Sequence, residues 1–314
     1  CAARSLLVAF EALEQTLWRI LLDWPRCVGG RADEGALKRF RKRLAELEGG
    51  VFADSQWNRL GGARVNSNTK ALARTAASLT RDVEELLFGG ARGDEVLRSR
   101  SSFEAWFRAG SNPTAAVFDW VVSNQLEDFG GVGIQPVNEF DEAYICDRIA
   151  RDDAWEYCGQ PEQHGEVRQT GALASLANTP LVRELHGEHG YGLSTQLAAR
   201  LLEVPTLLGD IHDQILALAP GEVPALREIS TGRALGSVDT ARGRLFHWVE
   251  VRDGRIARYR TLAPTEWNFH PRGPLAQGLA GAPAKDLTTT RRAVGLLMTA
   301  IDPCVGIQLE IAEA

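Results

Sequence analysis

The sequence predicts a helix-rich α+β fold in one large domain spanning 1–314. Three observations lead there. Apolar residues recur at three- and four-residue steps over most of the first 126 residues and again over 194–218. A single stretch, 245–262, changes to a period of two around an Asp-Gly turn. No internal repeat or low-complexity segment divides the chain.

The first helix carries Leu6, Leu7, Phe10, Leu13, Leu17, Ile20 and Leu21 on one stripe. Trp24-Pro25 is expected to end it, because proline disfavours helical geometry in the residue before it. Asp33 is the expected cap of a second helix through Leu37, Phe40, Leu44 and Leu47, stopped by Gly49-Gly50. A third is predicted over 69–88, with Leu72, Ala76, Leu79, Val83 and Leu87 on one face and Gly89-Gly90 at its end. Shorter helices fit 102–109 and 113–126, the latter opened by Pro113.

Over 128–179 the periodicity weakens. Gly130-Gly131, Gly133, Pro136, Gly159, Pro161 and Gly165 predict extended loops with one short helix at 142–149. The helix over 194–218 is expected to break or kink near Pro205. Leu245, His247, Val249 and Val251 then alternate with Phe246, Trp248, Glu250 and Arg252. Asp253-Gly254 suits a two-residue type I′ turn, whose positions both need positive φ, and 256–262 is the returning strand. A last helix, capped by Asp286 and running to about Ala300, delivers Asp302-Pro303-Cys304.

Composition narrows the function. The chain has 314 residues, 44% of them hydrophobic, which is ample for a core. Its net charge of −6 and the lack of a Lys/Arg-rich tract give no electrostatic footprint for nucleic acid. No apolar run reaches membrane-spanning length. Five cysteines without a CxxC pair suit a reducing cytoplasm and disfavour zinc ribbons and thioredoxin-like exchange. The chain starts at Cys1 rather than Met, so an upstream piece is expected. Glycine patterns for nucleotides and the Gly-x-Ser-x-Gly elbow are absent from the sequence.

A few residues carry candidate chemistry. Cys304 follows Asp302-Pro303, and a thiolate is a soft ligand for Fe, Ni or Zn; an isolated Cys is more often a small core residue. Arg242, in Thr240-Ala241-Arg242-Gly243, offers a fork of donors, against the plain alternative of a surface Arg in a turn. Pro264-Thr265-Glu266-Trp267-Asn268 offers a hydroxyl and an amide, with Trp267 equally suited to the core. His247 and His270 lack a partner at ligand spacing and read as structural. His186 and His189, in an expected Gly-rich loop, form a weak metal pair.

These pieces occur in a telling order. Arg242-Gly243, Leu245, His247, Val249, Val251, Asp253-Gly254, Ile256, Tyr259, Pro264-Thr265, Trp267-Asn268 and Asp302-Pro303-Cys304 resemble the large subunit of nickel-iron hydrogenases. There the pattern is Ala-Pro-Arg-Gly, an Asp-Gly hairpin, Pro-Thr-Thr-Trp-Asn and a terminal Asp-Pro-Cys-x-x-Cys-x-x-His. The spellings at 264–271 and 302–306 are most similar to one offshoot, the HupK/HoxV hydrogenase expression/formation proteins. Cys1 to Glu14 resembles the family's Cys-x-x-x-His helix ending in Ala-Leu-Glu, with Ser5 at the His position. Gln169-Thr170-Gly171-Ala172-Leu173-Ala174 resembles its Glu-x-Gly-Pro-Leu-Ala run. The middle of the chain, about 27–157, offers little to match.

The departures shape what the resemblance implies. Ile307 stands at the second terminal thiol and Glu310 at the terminal His. At most Cys1 and Cys304 remain of four thiolates, so no nickel is expected. Two soft ligands suit an iron fragment instead. The family's iron carries cyanide and carbon monoxide, and Arg242 and Thr265 stand where donors to cyanide stand. With four residues after Glu310, a protease-removed extension is not expected. The resemblance thus implies a cytoplasmic, non-enzymatic scaffold in hydrogenase maturation. It would hold an Fe(CN)2(CO) intermediate on Cys304 and Cys1 for a large-subunit precursor. Its implied partners are a small chaperone and iron-cofactor assembly proteins. Two other readings compete: a relative that binds a partner and no metal, and an active hydrogenase-type redox subunit.

Overall fold

A computed structural model describes residues 2–52, 64–66, 68–110, 112–219, 231–283, 285–303 and 309–310. The fold is α+β and predominantly helical. Two compact units are distinguished within the chain: Cys1–Asp119 with Leu201–Arg227, and Trp120–Arg200 with Glu228–Ala314.

The first unit opens with α1 (Ala2–Trp18), whose Leu6, Leu13 and Leu17 are fully buried. Proline 25 does not end this helix. The chain passes through a π-turn at Arg19–Asp23 and continues as α2 (Trp24–Cys27), with Pro25 in its first turn. A helical proline has no N–H and crowds the carbonyl four residues back. The wider turn relieves that crowding, and the carbonyl of Leu21 instead accepts the N–H of Asp33 at 3.1 Å.

Asp33 caps α3 (Glu34–Val51) as expected, its side chain accepting the Ala36 N–H. The helix runs through Gly49-Gly50 rather than stopping there. Burial of Leu47 and Val51 on one stripe outweighs the roughly 1 kcal/mol that each helical glycine costs. α4 (Thr69–Phe88) has the predicted bounds, with Asn68 as cap and Gly89 left-handed at its end. α5 (Gly93–Val96), α6 (Arg100–Ala109) and α7 (Pro113–Ser123) follow. Trp24, Phe103 and Phe118 stack edge-on inside this unit, with centroids 4.8 and 6.0 Å apart. A cleft of about 530 Å³ is lined by α3 and α4 and shares no residue with the site described below.

In the second unit the expected loops at 128–179 contain more helix than predicted. α8 (Glu142–Ala150) was legible; α9 (Ala154–Gly159) and α10 (Ala172–Leu176) are too short to show a period. α11 (Pro180–His189) corrects the reading of His186 and His189 as loop residues, since both lie in its last turn. α12 (Leu193–Leu216) contributes residues to both units and carries Pro205 inside it.

The hairpin proved to be part of a three-stranded antiparallel sheet, β1 (Gly232–Thr240), β2 (Gly243–Arg252) and β3 (Arg255–Leu262), in that order. Asp253 and Gly254 have φ of 51° and 69°, as the type I′ turn requires. β1 was missed because Gly232, Gly236 and Asp239 dilute its alternation. One face carries Phe246, Trp248 and Leu262, packed with Ile145, Ile149, Tyr157 and Trp267 into one core. Three short helices complete the unit: α13 (Pro264–Asn268), α14 (Pro274–Ala280) and α15 (Leu287–Ile301), the last capped by Asp286.

On that same sheet face Glu250 is nearly buried and accepts hydrogen bonds from Arg258, Arg252 and Arg233. Those guanidinium groups, Arg258 first, hold its carboxyl down from 4.5 to about 2. A depressed carboxyl contributes stability above its unfolded value and loses it as pH falls towards the folded one. Glu250→Gln is therefore expected to lower the urea midpoint at pH 7, with variant and native chain converging between about pH 4.5 and 2. A gap that persists unchanged at pH 2 would exclude this ion cluster as the cause.

Candidate functional site

The second unit gathers several buried polar groups around one short segment, Gln169-Thr170-Gly171. Gln169 and Gln196 are both buried and exchange amide hydrogen bonds at 2.8 and 3.0 Å. The Asn268 side chain accepts from the Thr170 N–H at 2.9 Å and donates to the Thr170 carbonyl at 3.3 Å. It stands in for a neighbouring strand, so the backbone is satisfied without a sheet. Asn268 sits at the end of α13, the helix that begins Pro264-Thr265.

Ala241 and Arg242 form the tight turn between β1 and β2, closed by Thr240 Oγ1 donating to the Gly243 carbonyl at 2.8 Å. Gly243 has φ +123° and lies against Thr170; a Cβ there would meet Thr170 Oγ1 at 2.2 Å. Gly171, at φ +92°, would put a Cβ 3.2 Å from the Arg242 carbonyl. Both glycines are thus required for the turn to press onto the segment. One segment thereby positions both predicted donors, Arg242 directly and Thr265 through its helix.

Neither donor is satisfied. Arg242 Nε and Thr265 Oγ1 are buried atoms without a hydrogen-bond partner among the described residues. Arg242 has Asp302 Oδ2 at 3.7 Å, too long for a hydrogen bond. Buried polar atoms are nearly always paired, and exceptions concentrate where a ligand or water belongs.

Asp302 follows α15 as its C-cap, with left-handed φ 58° and its N–H bonded to the Met298 carbonyl. It is 2% exposed. Arg200, on α12, is 1% exposed and ties this end of the site together. Its Nη1 donates to Ala241 O at 3.0 Å, and its Nε and Nη2 donate to Ala300 O at 3.3 and 3.1 Å. Nη2 also lies 3.9 Å from Asp302 Oδ2. One guanidinium therefore spans the residue before Arg242 and the residues before Cys304.

Cys304 and Cys1 lie outside the described residues. Pro303, directly before Cys304, is buried. The cysteines that are described are free thiols. Burial, reinforced by Asp23, pushes Cys27 up to about 11, and burial also raises Cys158, so both stay protonated and poor as metal ligands. Among the described residues no group of three His, Cys, Asp or Glu side chains is placed to hold a metal ion. His270 is buried with Nδ1 accepting the Arg272 N–H, and desolvation lowers its pKa. His247 pairs with Tyr259 at 2.5 Å. Both histidines have the structural roles expected of them. Trp267 is fully buried core.

Comparison with known proteins follows this layout. The family model described as nickel-dependent hydrogenase matches residues 211–307, which include Arg242, Thr265, Asp302 and Cys304. The chain is 29% identical over 311 residues to the hydrogenase expression/formation protein HupK of Rhizobium leguminosarum, covering 97% of this chain and 75% of that protein. It is 37% identical over 171 residues to HupK of Bradyrhizobium diazoefficiens and 34% over 167 residues to HoxV of Cupriavidus necator. The chain is similar to the HupK/HoxV hydrogenase expression/formation proteins.

Matches to the latter two span 54% and 49% of this chain and 46% and 41% of those proteins, about half of each. Fold likeness extends further. The nickel-iron-selenium hydrogenase of D. vulgaris Hildenborough superposes with a TM-score of 0.63 at 17% identity, covering 96% of this chain and 80% of that one. At that identity the likeness establishes the fold alone. The chain thus keeps the hydrogenase large-subunit fold, while Ile307 and Glu310 stand where the large-subunit motif has Cys and His.

Two site residues escaped sequence reading. Arg200 falls on the apolar stripe of Leu193, Leu197, Leu201 and Val204, and a charge at such a core position was the available signal. Asp302 was read only as a prefix to Cys304. No helix is long and apolar enough to cross a membrane among the described residues.

Proposed function

We propose that this chain is an accessory scaffold in nickel-iron hydrogenase maturation, one that carries an Fe(CN)2(CO) intermediate and passes it to a large-subunit precursor. A maturation role in general is supported by its relatives, which are named hydrogenase expression/formation proteins. The finer reading rests on one observation: Arg242 Nε and Thr265 Oγ1 are buried donors that lack acceptors. Leaving a buried donor unmade costs about 1–3 kcal/mol. An acceptor-rich ligand removes that cost on binding, and cyanide nitrogen is such an acceptor.

In this reading Cys304 supplies the first thiolate to iron and Cys1 the second, while Arg242 and Thr265 hold the cyanides. Cyanide and carbon monoxide fill the remaining positions, so few protein bonds are needed. Delivery is redox-neutral. The Fe–S bonds to Cys304 and Cys1 are exchanged for bonds to two thiolates of the recipient, Cys304 and Cys1 each take up a proton, and the two recipient thiols give them up. Loose ligation by few thiolates favours such an exchange. The chain itself is an accessory rather than a catalyst. Its partners are a small chaperone, the iron-cofactor assembly proteins and the precursor, in the reducing cytoplasm that free thiolates require.

The test is the chain co-produced with the complete maturation machinery and purified without air. About one iron per chain, no nickel, and infrared bands of bound cyanide and carbon monoxide are the expected results. Protein from the same cells without those bands would reject the scaffold reading.

A further inference from the structure

We infer that Asp302 is a built-in rival of the cargo: a fixed carboxylate that holds Arg242 in the empty site and weakens the grip on an anionic fragment, so that the fragment can leave. The inference rests on the scaffold reading above.

Asp302 is an uneconomical residue where it stands. It adopts φ 58°, a left-handed conformation that glycine or asparagine takes at lower cost. It sits at the C-terminus of α15, the negative end of the helix dipole, which disfavours a carboxylate. It is 2% exposed, so its charge has little help from water.

Among the described residues two guanidinium groups face that charge at one oxygen, and they differ in freedom. Arg200 Nη2 is 3.9 Å from Asp302 Oδ2, while the Arg200 donors are engaged by the carbonyls of Ala241 and Ala300. Arg200 cannot turn away without breaking those bonds, so its field on Asp302 is constant. Arg242 Nε is 3.7 Å from the same oxygen and has no acceptor among the described residues. Arg242 can therefore turn towards an incoming anion while Arg200 keeps Asp302 compensated. When the anion departs, Asp302 takes Arg242 back. The carboxylate sets the affinity by competing for one donor, a difference of states rather than a contact with cargo.

The test compares the full chain and its Asp302→Asn variant, loaded in cells with the maturation machinery and then mixed with purified large-subunit precursor. Asn tolerates the left-handed backbone and keeps the shape. Asp302→Asn is expected to load the same amount of iron, to displace the cyanide bands, and to release iron to the precursor about tenfold more slowly. Asp302→Glu is expected to restore release to within about twofold. In an Arg242→Gln background, Asp302→Asn is expected to change release less than twofold, because the contested donor is gone. Unchanged release and unchanged cyanide bands in Asp302→Asn would overturn the inference. So would a variant that fails to fold or that loses its iron while folded, since Asp302 would then be structural or a holding group. An iron-free native chain is a different outcome, which rejects the scaffold reading itself.

Discussion

Cys304→Ala is expected to yield a folded chain that carries no iron and shows no cyanide or carbon monoxide bands, after production beside the full maturation machinery. The thiolate is the first soft ligand of the proposed site. Burial keeps Cys27 and Cys158 protonated, His270 accepts from the Arg272 N–H and His247 pairs with Tyr259. Arg242→Gln and Thr265→Val are expected to reduce the load only in part. Each removes one charged or neutral hydrogen bond, worth about 1–3 kcal/mol, and leaves the iron–sulfur bond intact. The ordering is the informative result. If Cys304→Ala retains native iron and infrared bands, the cargo is held elsewhere. If a chain lacking Cys304 still supports hydrogenase formation in cells, the reading as a partner-binding relative without metal is preferred.

Arg200→Met is expected to destabilise the chain by about 3–5 kcal/mol, the range for removing one partner of a buried ionic network. The methionine fills the volume but leaves the carbonyls of Ala241 and Ala300 without their donor, and Asp302 with one guanidinium fewer. At about 2–4 °C per kcal/mol the midpoint of thermal unfolding should fall by roughly 10 °C. Arg200→Lys should recover only part of the loss, because an ammonium cannot span two carbonyls in the way a planar fork does. Urea titration of all three proteins decides the matter. A change below about 1 kcal/mol for Arg200→Met would mean that water replaces the guanidinium, and that the tie between the Arg242 turn and the end of α15 is not its work.

The helices of the first unit were legible because each buries a continuous stripe, although Pro25 and Gly49-Gly50 do not stop theirs. Asp33, Gly89 and, in the second unit, Asp286 cap their helices by chemistry contained in two or three neighbouring residues. The Asp253-Gly254 turn was legible for the same reason. Where the signal is shorter than a period, as in α9, α10 and α13, no local rule detects it. Pro25 was misjudged because a proline's cost depends on whether the carbonyl it displaces finds another donor, and that donor, Asp33, comes eight residues later.

By itself, the sequence determined the helix-rich class, most of the caps, the type I′ hairpin and the order of motifs that resembles the HupK/HoxV proteins, because these depend on residues close together in the chain. Only the tertiary structure decided that Arg200 is a core charge, that Gly171 and Gly243 clear the way for the Arg242 turn, and that Arg242 and Arg200 share Asp302. Those facts concern groups brought together across as many as 102 residues of chain, Arg200 to Asp302. A buried donor's worth is set by what lies within about 3 Å of it in space, and sequence spacing carries no record of that.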